Sequence, residues 1–147
     1  MFGFKKFVIR CRAVIIHDGK MLVVRHPKAN FLTLPGGHLE WGEDVKESLS
    51  REIIEELGIA PKIGRLLYIN NFVDSRNKQS VEFFFEILNS HEYKNIENIT
   101  RTHAHEIAEM PWIDPKNTLN ILPKILGEDF AQGRIISNEV KYINKNA

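Results

Sequence analysis

The chain has 147 residues, 43% apolar and 27% charged, with a formal net charge of +1 and one cysteine. That length suits one domain, spanning residues 1–147, with a core large enough to need no disulfide staples. The near-neutral charge argues against an extended nucleic-acid track, the lone cysteine excludes an internal disulfide framework, and no run approaches the ~18 apolar residues of a membrane span.

Residues 6–17 read as a strand rich in Val, Ile and Phe. Cys11 lies within it and reads as a small core residue rather than a nucleophile. The opening segment carries basic residues but neither an uninterrupted apolar core nor a small-residue cleavage site, so a cytoplasmic protein is expected. Asp18-Gly19 is a two-residue hairpin signal, and residues 20–25 return as the partner strand. After a loop over 26–30, residues 31–34 form a short strand leading into Pro35-Gly36-Gly37. Two glycines there allow a tight turn with backbone groups open to a ligand. Residues 38–40 continue as a short strand.

A helix follows. Glu43 and Asp44 occupy its first turn, favourable to the dipole. Val45, Leu49, Ile53 and Leu57 recur every four residues as one apolar stripe, and Gly58 is a stop signal. Beyond Pro61, residues Ile63–Val73 are strand-like, 74–78 form a polar turn, and 81–88 form a strand apolar enough for burial on both faces. Residues 89–102 read as a long polar loop and 103–113 as a segment ending in a strand. Asp114-Pro115 has the chemistry of a helix start, and Pro123 introduces a second helical stretch, Lys124–Ala131. From about residue 133 the tail is mixed: Val140, Tyr142 and Ile143 either extend, pack on the body or stay loose. Strands around one central and one late helix predict an α/β fold with a mixed sheet between helices.

Glu52, Glu55 and Glu56 concentrate the chemistry. Residues three and four apart on a helix are neighbours, and like charges there cost roughly 0.2–0.5 kcal/mol per pair. A solvated acidic face is the plain reading. A hard divalent cation shared with substrate phosphates is the alternative. The spacing around them carries more information: Gly37, five residues, Glu43, seven residues, Arg51-Glu52-Ile53, one residue, Glu55-Glu56, one residue, Gly58-Ile59. At average usage, chance agreement of these positions is on the order of one in ten million.

This pattern resembles the complete Nudix box, the signature of the Nudix hydrolase family, and that resemblance implies a Nudix-like α/β/α sandwich. It also implies Glu52, Glu55 and Glu56 as metal ligands, together with the Gly36 carbonyl. Arg51 and Glu43 then orient the glutamates, Gly37 belongs to the turn beside them, and Glu40 is an extra acid at the edge. The base is a box glutamate in some relatives and a later-loop glutamate in others. Here Glu52, Glu55 and Glu106 are the candidates, Glu106 standing six residues before Trp112. Glu109 is its rival, and Glu82 and Glu86 are weaker.

Arg25, Arg65 and Arg76 can grip phosphates or simply be solvated. Trp41, Phe31, Tyr68 and Phe72 can stack on a base or fill the core, and Trp112 reads as packing. His103 and His105 lack a third ligand for zinc; His38 is a substrate contact or an exposed polar residue. The family resemblance implies Mg²⁺-dependent hydrolysis, with Mn²⁺ as an alternative ion. The substrate is a nucleoside diphosphate linked to another moiety: a nucleotide sugar, ADP-ribose, a nucleoside triphosphate or a dinucleoside polyphosphate. The rival readings are a catalytically silent nucleotide-sensing module and RNA-end processing. A homodimer is compatible with either hydrolase or sensor.

Overall fold

The computed structural model describes residues 5–73, 77–96 and 107–144. In chain order its elements are β1 (Lys6–Val14), β2 (Ile16–His17), β3 (Lys20–Leu22), β4 (Gly36–His38), α1 (Val45–Leu57), β5 (Ile63–Val73), β6 (Lys78–Ile87), β7 (Trp112–Ile113), α2 (Lys124–Ala131) and β8 (Lys141–Asn144). A five-stranded sheet runs β4-β1-β6-β5-β8, and a smaller one runs β2-β3-β7. The large sheet is mixed: β1 is antiparallel to β4 and parallel to β6, and β5 is antiparallel to β6 and parallel to β8.

Strand β6 shows why the sheet needs cover on both sides. Successive strand residues point to opposite faces, and Phe84 and Phe85 are both buried. Phe84 joins a cluster with Tyr68, Leu126 and Phe130, the last two on α2. Phe85 joins one with Leu49, Ile53 and Leu57 on α1. One helix therefore packs on each face, giving an α/β/α sandwich with a mixed sheet. No described helix is long and apolar enough to cross a membrane.

Several local expectations hold. Asp18 and Gly19 take φ of 51° and 74°, the paired left-handed conformation of a type I′ hairpin turn, and His17 pairs with Lys20. Helix α1 buries Leu49, Ile53 and Leu57 and ends on left-handed Gly58, whose N–H donates to the Ile54 carbonyl. Helix α2 and strand β5 occupy the expected residues.

Others are corrected. Pro35-Gly36-Gly37 does not turn: Gly36 and Gly37 are the first residues of β4, laid against β1. A Cβ on Gly36 would lie 1.9 Å from the Cys11 carbonyl oxygen, so the glycine serves close backbone approach rather than chain reversal. Asp44 is the N-cap of α1, its carboxylate accepting from the Lys46 N–H at 2.7 Å, so Glu43 and Asp44 precede the first helical turn. Asp114-Pro115 opens a turn, not a helix. Asp114 accepts from Lys116 N with its side chain and from Asn117 N with its carbonyl; Asn117, Thr118 and Asn120 then compete with helix propagation. Strand pairing after residue 22 continues only as isolated bridges, Val24 to Thr33 and Arg25 to Glu109. Within the supposed polar loop, Ser90–Tyr93 forms a 3₁₀ turn that buries Tyr93.

The tail takes the first of its three alternatives. Strand β8 adds to the sheet edge, and a polar clasp fixes it. Lys141 Nζ lies 3.0 Å from Asp129 Oδ2 and 2.7 Å from the Arg134 carbonyl. Asp129 is buried and also accepts from the Tyr68 hydroxyl and from Arg134. Burial pushes the Asp129 carboxyl up, but hydrogen bonds from Tyr68, Lys141 and Arg134 outweigh it and hold the carboxyl below its ordinary value. A depressed folded-state pKa contributes stability above the unfolded value, about 3.9, and loses it as pH falls through the folded value. Asp129→Asn is therefore expected to cost about 1.5–3 kcal/mol at pH 7 and to flatten the loss of stability below roughly pH 4. Urea unfolding at pH 7, 4 and 3 measures both; identical acid limbs in the two proteins would contradict the assignment.

Candidate functional site

Arg51 projects from α1 into a ring of oxygen atoms. Its guanidinium binds Glu43 through two bonds, Nε to Oε2 at 2.8 Å and Nη2 to Oε1 at 3.0 Å. Nη1 reaches Glu52 at 3.0 Å and Glu55 at 3.3 Å, with Glu40 at 3.6 Å. Nη2 also donates to the His38 carbonyl at 3.0 Å. A planar fork with five N–H donors can serve this many acceptors; a lysine ammonium cannot. Hydrogen bonds from Arg51 and then from the Glu40 N–H hold the Glu43 carboxyl below its usual range. The same Glu43 contact, reinforced by Glu52, holds the Arg51 proton more tightly than usual. One cation thus offsets the repulsion that the glutamate spacing creates.

Two of the α1 carboxylates lie against the glycines of β4. The Gly36 N–H donates to Glu56 Oε2 at 3.2 Å, and Glu56 is only 3% exposed. A Cβ on Gly37 would sit 2.4 Å from the Glu52 carboxyl carbon. The glycine pair therefore leaves the room in which these two carboxylates rest against the strand.

Beside them opens a cavity of about 780 Å³, lined by Glu52, Glu56, Gly36 and Gly37 among others. That volume lies within the ~300–1,000 Å³ of small-molecule sites. Its floor is the sheet itself. Register pairing sets His38, Arg10, Glu82, Asn70 and Ile143 in one row across all five strands, and each of them lines the cavity. Glu82 is buried, accepting from Arg12 Nε at 3.0 Å and from Asn70 Nδ2 at 3.1 Å. Phe31, Phe72, Leu122, Pro123 and Ile125 supply apolar walls. Burial, then the charges of Arg10 and Arg12, push the His38 imidazole below its ordinary value of 6.5. His38 is accordingly neutral near pH 7.

The structure brings together Glu52, Glu56, Gly36 and Gly37. Glu55 points to the Arg51 side and does not line the cavity. Glu40 and Glu43 stand behind Arg51. Glu106 lies outside the described residues, as do Arg76, His103 and His105. Glu109 pairs with Arg25 at 3.2 Å, and Glu86 with Arg65 at 2.6 Å, which accounts for both arginines without a phosphate. Trp41 is fully exposed, Tyr68 is buried, and Trp112 stands edge-on to His17. Burial pushes the Cys11 thiol up to about 11, which fits a core residue and not a nucleophile.

Sequence reasoning missed Arg10, Arg12 and Asn70 as cavity residues. A signal for the first two was present: Arg10 and Arg12 alternate with Cys11 and Ala13, so a period of two puts both guanidiniums on one face.

The donor set suits a hard cation: the carboxylates of Glu52 and Glu56 supply oxygen donors, with Gly36 in the same cavity lining. Among the described residues, no three His, Cys, Asp or Glu side chains form a ready-made cage. That still fits Mg²⁺, which keeps waters and is bound by one or two carboxylates plus substrate phosphates.

A family model described as NUDIX domain matches residues 9–131. An ADP-ribose pyrophosphatase of Methanocaldococcus jannaschii is 39% identical over 64 residues, covering 42% of this chain and 38% of that protein. The CTP pyrophosphohydrolase of Escherichia coli is 29% identical over 111 residues, 73% of this chain and 76% of that one. The match thus spans well under half of the first relative's length. Among solved structures, a UDP-X diphosphatase superposes with a TM-score of 0.67 at 24% identity, covering 97% of this chain and 69% of its own. The E. coli ORF135 protein gives 0.67 at 23% identity, covering 88% and 92%. These two likenesses bear on the fold alone.

Gly37→Ala would push the Glu52 carboxylate from its place against the strand. The variant is expected to keep its far-UV circular dichroism and to bind Mn²⁺ at least roughly tenfold more weakly, read by titration calorimetry. Unaltered Mn²⁺ affinity would show that the position of Glu52 does not matter to the ion.

Proposed function

This chain belongs to the Nudix family, and from that premise we propose that it hydrolyses a pyrophosphate bond in a nucleoside diphosphate linked to another moiety, with Mg²⁺ or Mn²⁺ as cofactor. The observation that carries the reading is the convergence of Glu52 and Glu56 on Gly36 and Gly37 at the wall of a nucleotide-sized cavity. Nucleotide sugars, ADP-ribose, nucleoside triphosphates and dinucleoside polyphosphates are the substrate classes. The names of the relatives above, an ADP-ribose pyrophosphatase and a CTP pyrophosphohydrolase, fall within them.

Glu52 and Glu56 would hold the cation, with the Gly36 carbonyl as a further donor and Glu55 joining directly or through water. When bound, the ion neutralises phosphoryl charge and acidifies water. The chain's own part is positional. Helix α1 fixes the carboxylates to one rigid edge, and Arg51, held by Glu43, orients Glu52 and Glu55. A carboxylate must take the proton of the attacking water. Glu52, Glu55 and Glu106 are the candidates; of the two described, only Glu52 lines the cavity. Phe31 and Leu122 offer apolar surface to the remainder of the substrate.

Glu52→Gln and Glu56→Gln are each expected to fold and to lose Mg²⁺-dependent turnover by roughly 10²–10⁴-fold. Phosphate release from a panel of nucleoside diphosphate compounds, with and without Mg²⁺, measures this. Near-normal rates in both variants would remove these residues from the reaction. Tight nucleotide binding with no turnover of any compound by the wild type would favour the sensing module instead.

A further inference from the structure

The family match ends at residue 131, yet the cavity does not end there. Strand β8, residues Lys141–Asn144, lies beyond it and closes the sheet edge farthest from α1's acids. We propose that β8 is the substrate-selecting wall of the site, with Ile143 contacting the nucleoside moiety of a nucleoside diphosphate. The proposal deepens the hydrolase reading above and rests on it for the identity of the ligand.

Three observations support it. The alternation of the strand divides its roles: Tyr142 is 61% exposed, whereas Ile143 is 6% exposed and lines the cavity. Lys141, on the same face as Ile143, is tied to Asp129 of α2 and to the Arg134 carbonyl. That clasp fixes the strand's position and register, so the wall is built rather than frayed. Finally, β4 and β8 stand at opposite edges of the five-stranded sheet. Four strand spacings of ~4.8 Å separate them by roughly 19 Å. A pyrophosphate held against Glu52 and Glu56 beside β4 is out of reach of Ile143; only the rest of the substrate extends that far.

The chemistry at that end fits a nucleoside better than a second phosphate. Ile143 shares the cavity lining with the apolar side chains of Phe31, Leu122 and Ile125 and with the polar Lys124 and Asn144, and the amide of Asn70 is next to it in the row. Apolar faces around one or two polar groups suit a planar heterocycle with hydrogen-bonding edges. Because Ile143 contacts a part of the substrate that does not react, its loss is expected to appear first as weaker binding.

The test is titration calorimetry in Mg²⁺ with ADP, CDP, GDP and UDP, and in parallel with inorganic pyrophosphate. Ile143→Ala is expected to weaken the tightest-bound nucleoside diphosphate by at least about tenfold and to leave pyrophosphate affinity within about twofold. Ile143→Val, which keeps the buried β-branched shape, secures the result if the alanine variant unfolds; its expected loss is roughly fourfold. The proposal is overturned if the wild type binds none of the four nucleotides. It is also overturned if pyrophosphate weakens as much as they do, or if every variant that folds binds the nucleotides as the wild type does. Its failure is separable from that of the hydrolase reading. Nucleotide binding that depends on Ile143 without any hydrolysis sinks only the latter. Normal hydrolysis indifferent to Ile143 sinks only this proposal.

Discussion

The interaction on which the site depends is the contact of one guanidinium with several carboxylates. Glu52, Glu55 and Glu56 lie within two turns of one helix, a spacing that helical electrostatics disfavours. Arg51 bonds to two of these and to Glu43 behind them, which offsets the repulsion between neighbouring carboxylates. Glu56, the third, is held differently, by the Gly36 N–H on the facing strand. The helix therefore presents its acids in two groups, one braced by Arg51 and one pressed on the glycine strand, and Glu52 belongs to both. That dual position makes Glu52 the residue through which the brace acts on the cavity.

The sheet converts this local arrangement into a binding site. Its order places the acid-bearing edge at β4 and the C-terminal strand at the other edge. Between them runs a row of charged and polar side chains, Arg10, Glu82 and Asn70; hydrogen bonds from Asn70 and from Arg12 satisfy the Glu82 carboxylate that burial would otherwise penalise. The two core clusters, one under each helix, hold the sheet rigid against both. A cavity floor made of strands in fixed register keeps its two ends at a fixed separation.

Much of this was legible in the sequence because it rests on local rules. The four-residue apolar period and Gly58 defined α1, Asp18-Gly19 defined the hairpin, and the dense apolar run in β6 correctly implied burial on both faces. The fixed spacing from Gly37 to Ile59 picked out the acids before their surroundings were known. What escaped depends on contacts distant in the chain. Gly36 and Gly37 looked like a turn because glycine's use against a neighbouring strand is invisible until that strand is placed. Asp114-Pro115 carried helix-start chemistry, but residues 117–120 have no apolar period to continue it. Arg12 and Glu82 are 70 positions apart, so neither alone signalled a buried pair. Strand β8 was ambiguous for the same reason: its clasp to Asp129 and its place beside β5 are tertiary facts.

The most direct measurement is anomalous diffraction from crystals grown with Mn²⁺ and a non-hydrolysable nucleoside diphosphate derivative. The account predicts a manganese peak in direct contact with Glu52 and Glu56, bridged to the diphosphate, with Arg51 still bonded to Glu43. A diphosphate and metal bound elsewhere, with the two carboxylates turned away from Gly36 and Gly37, would contradict it.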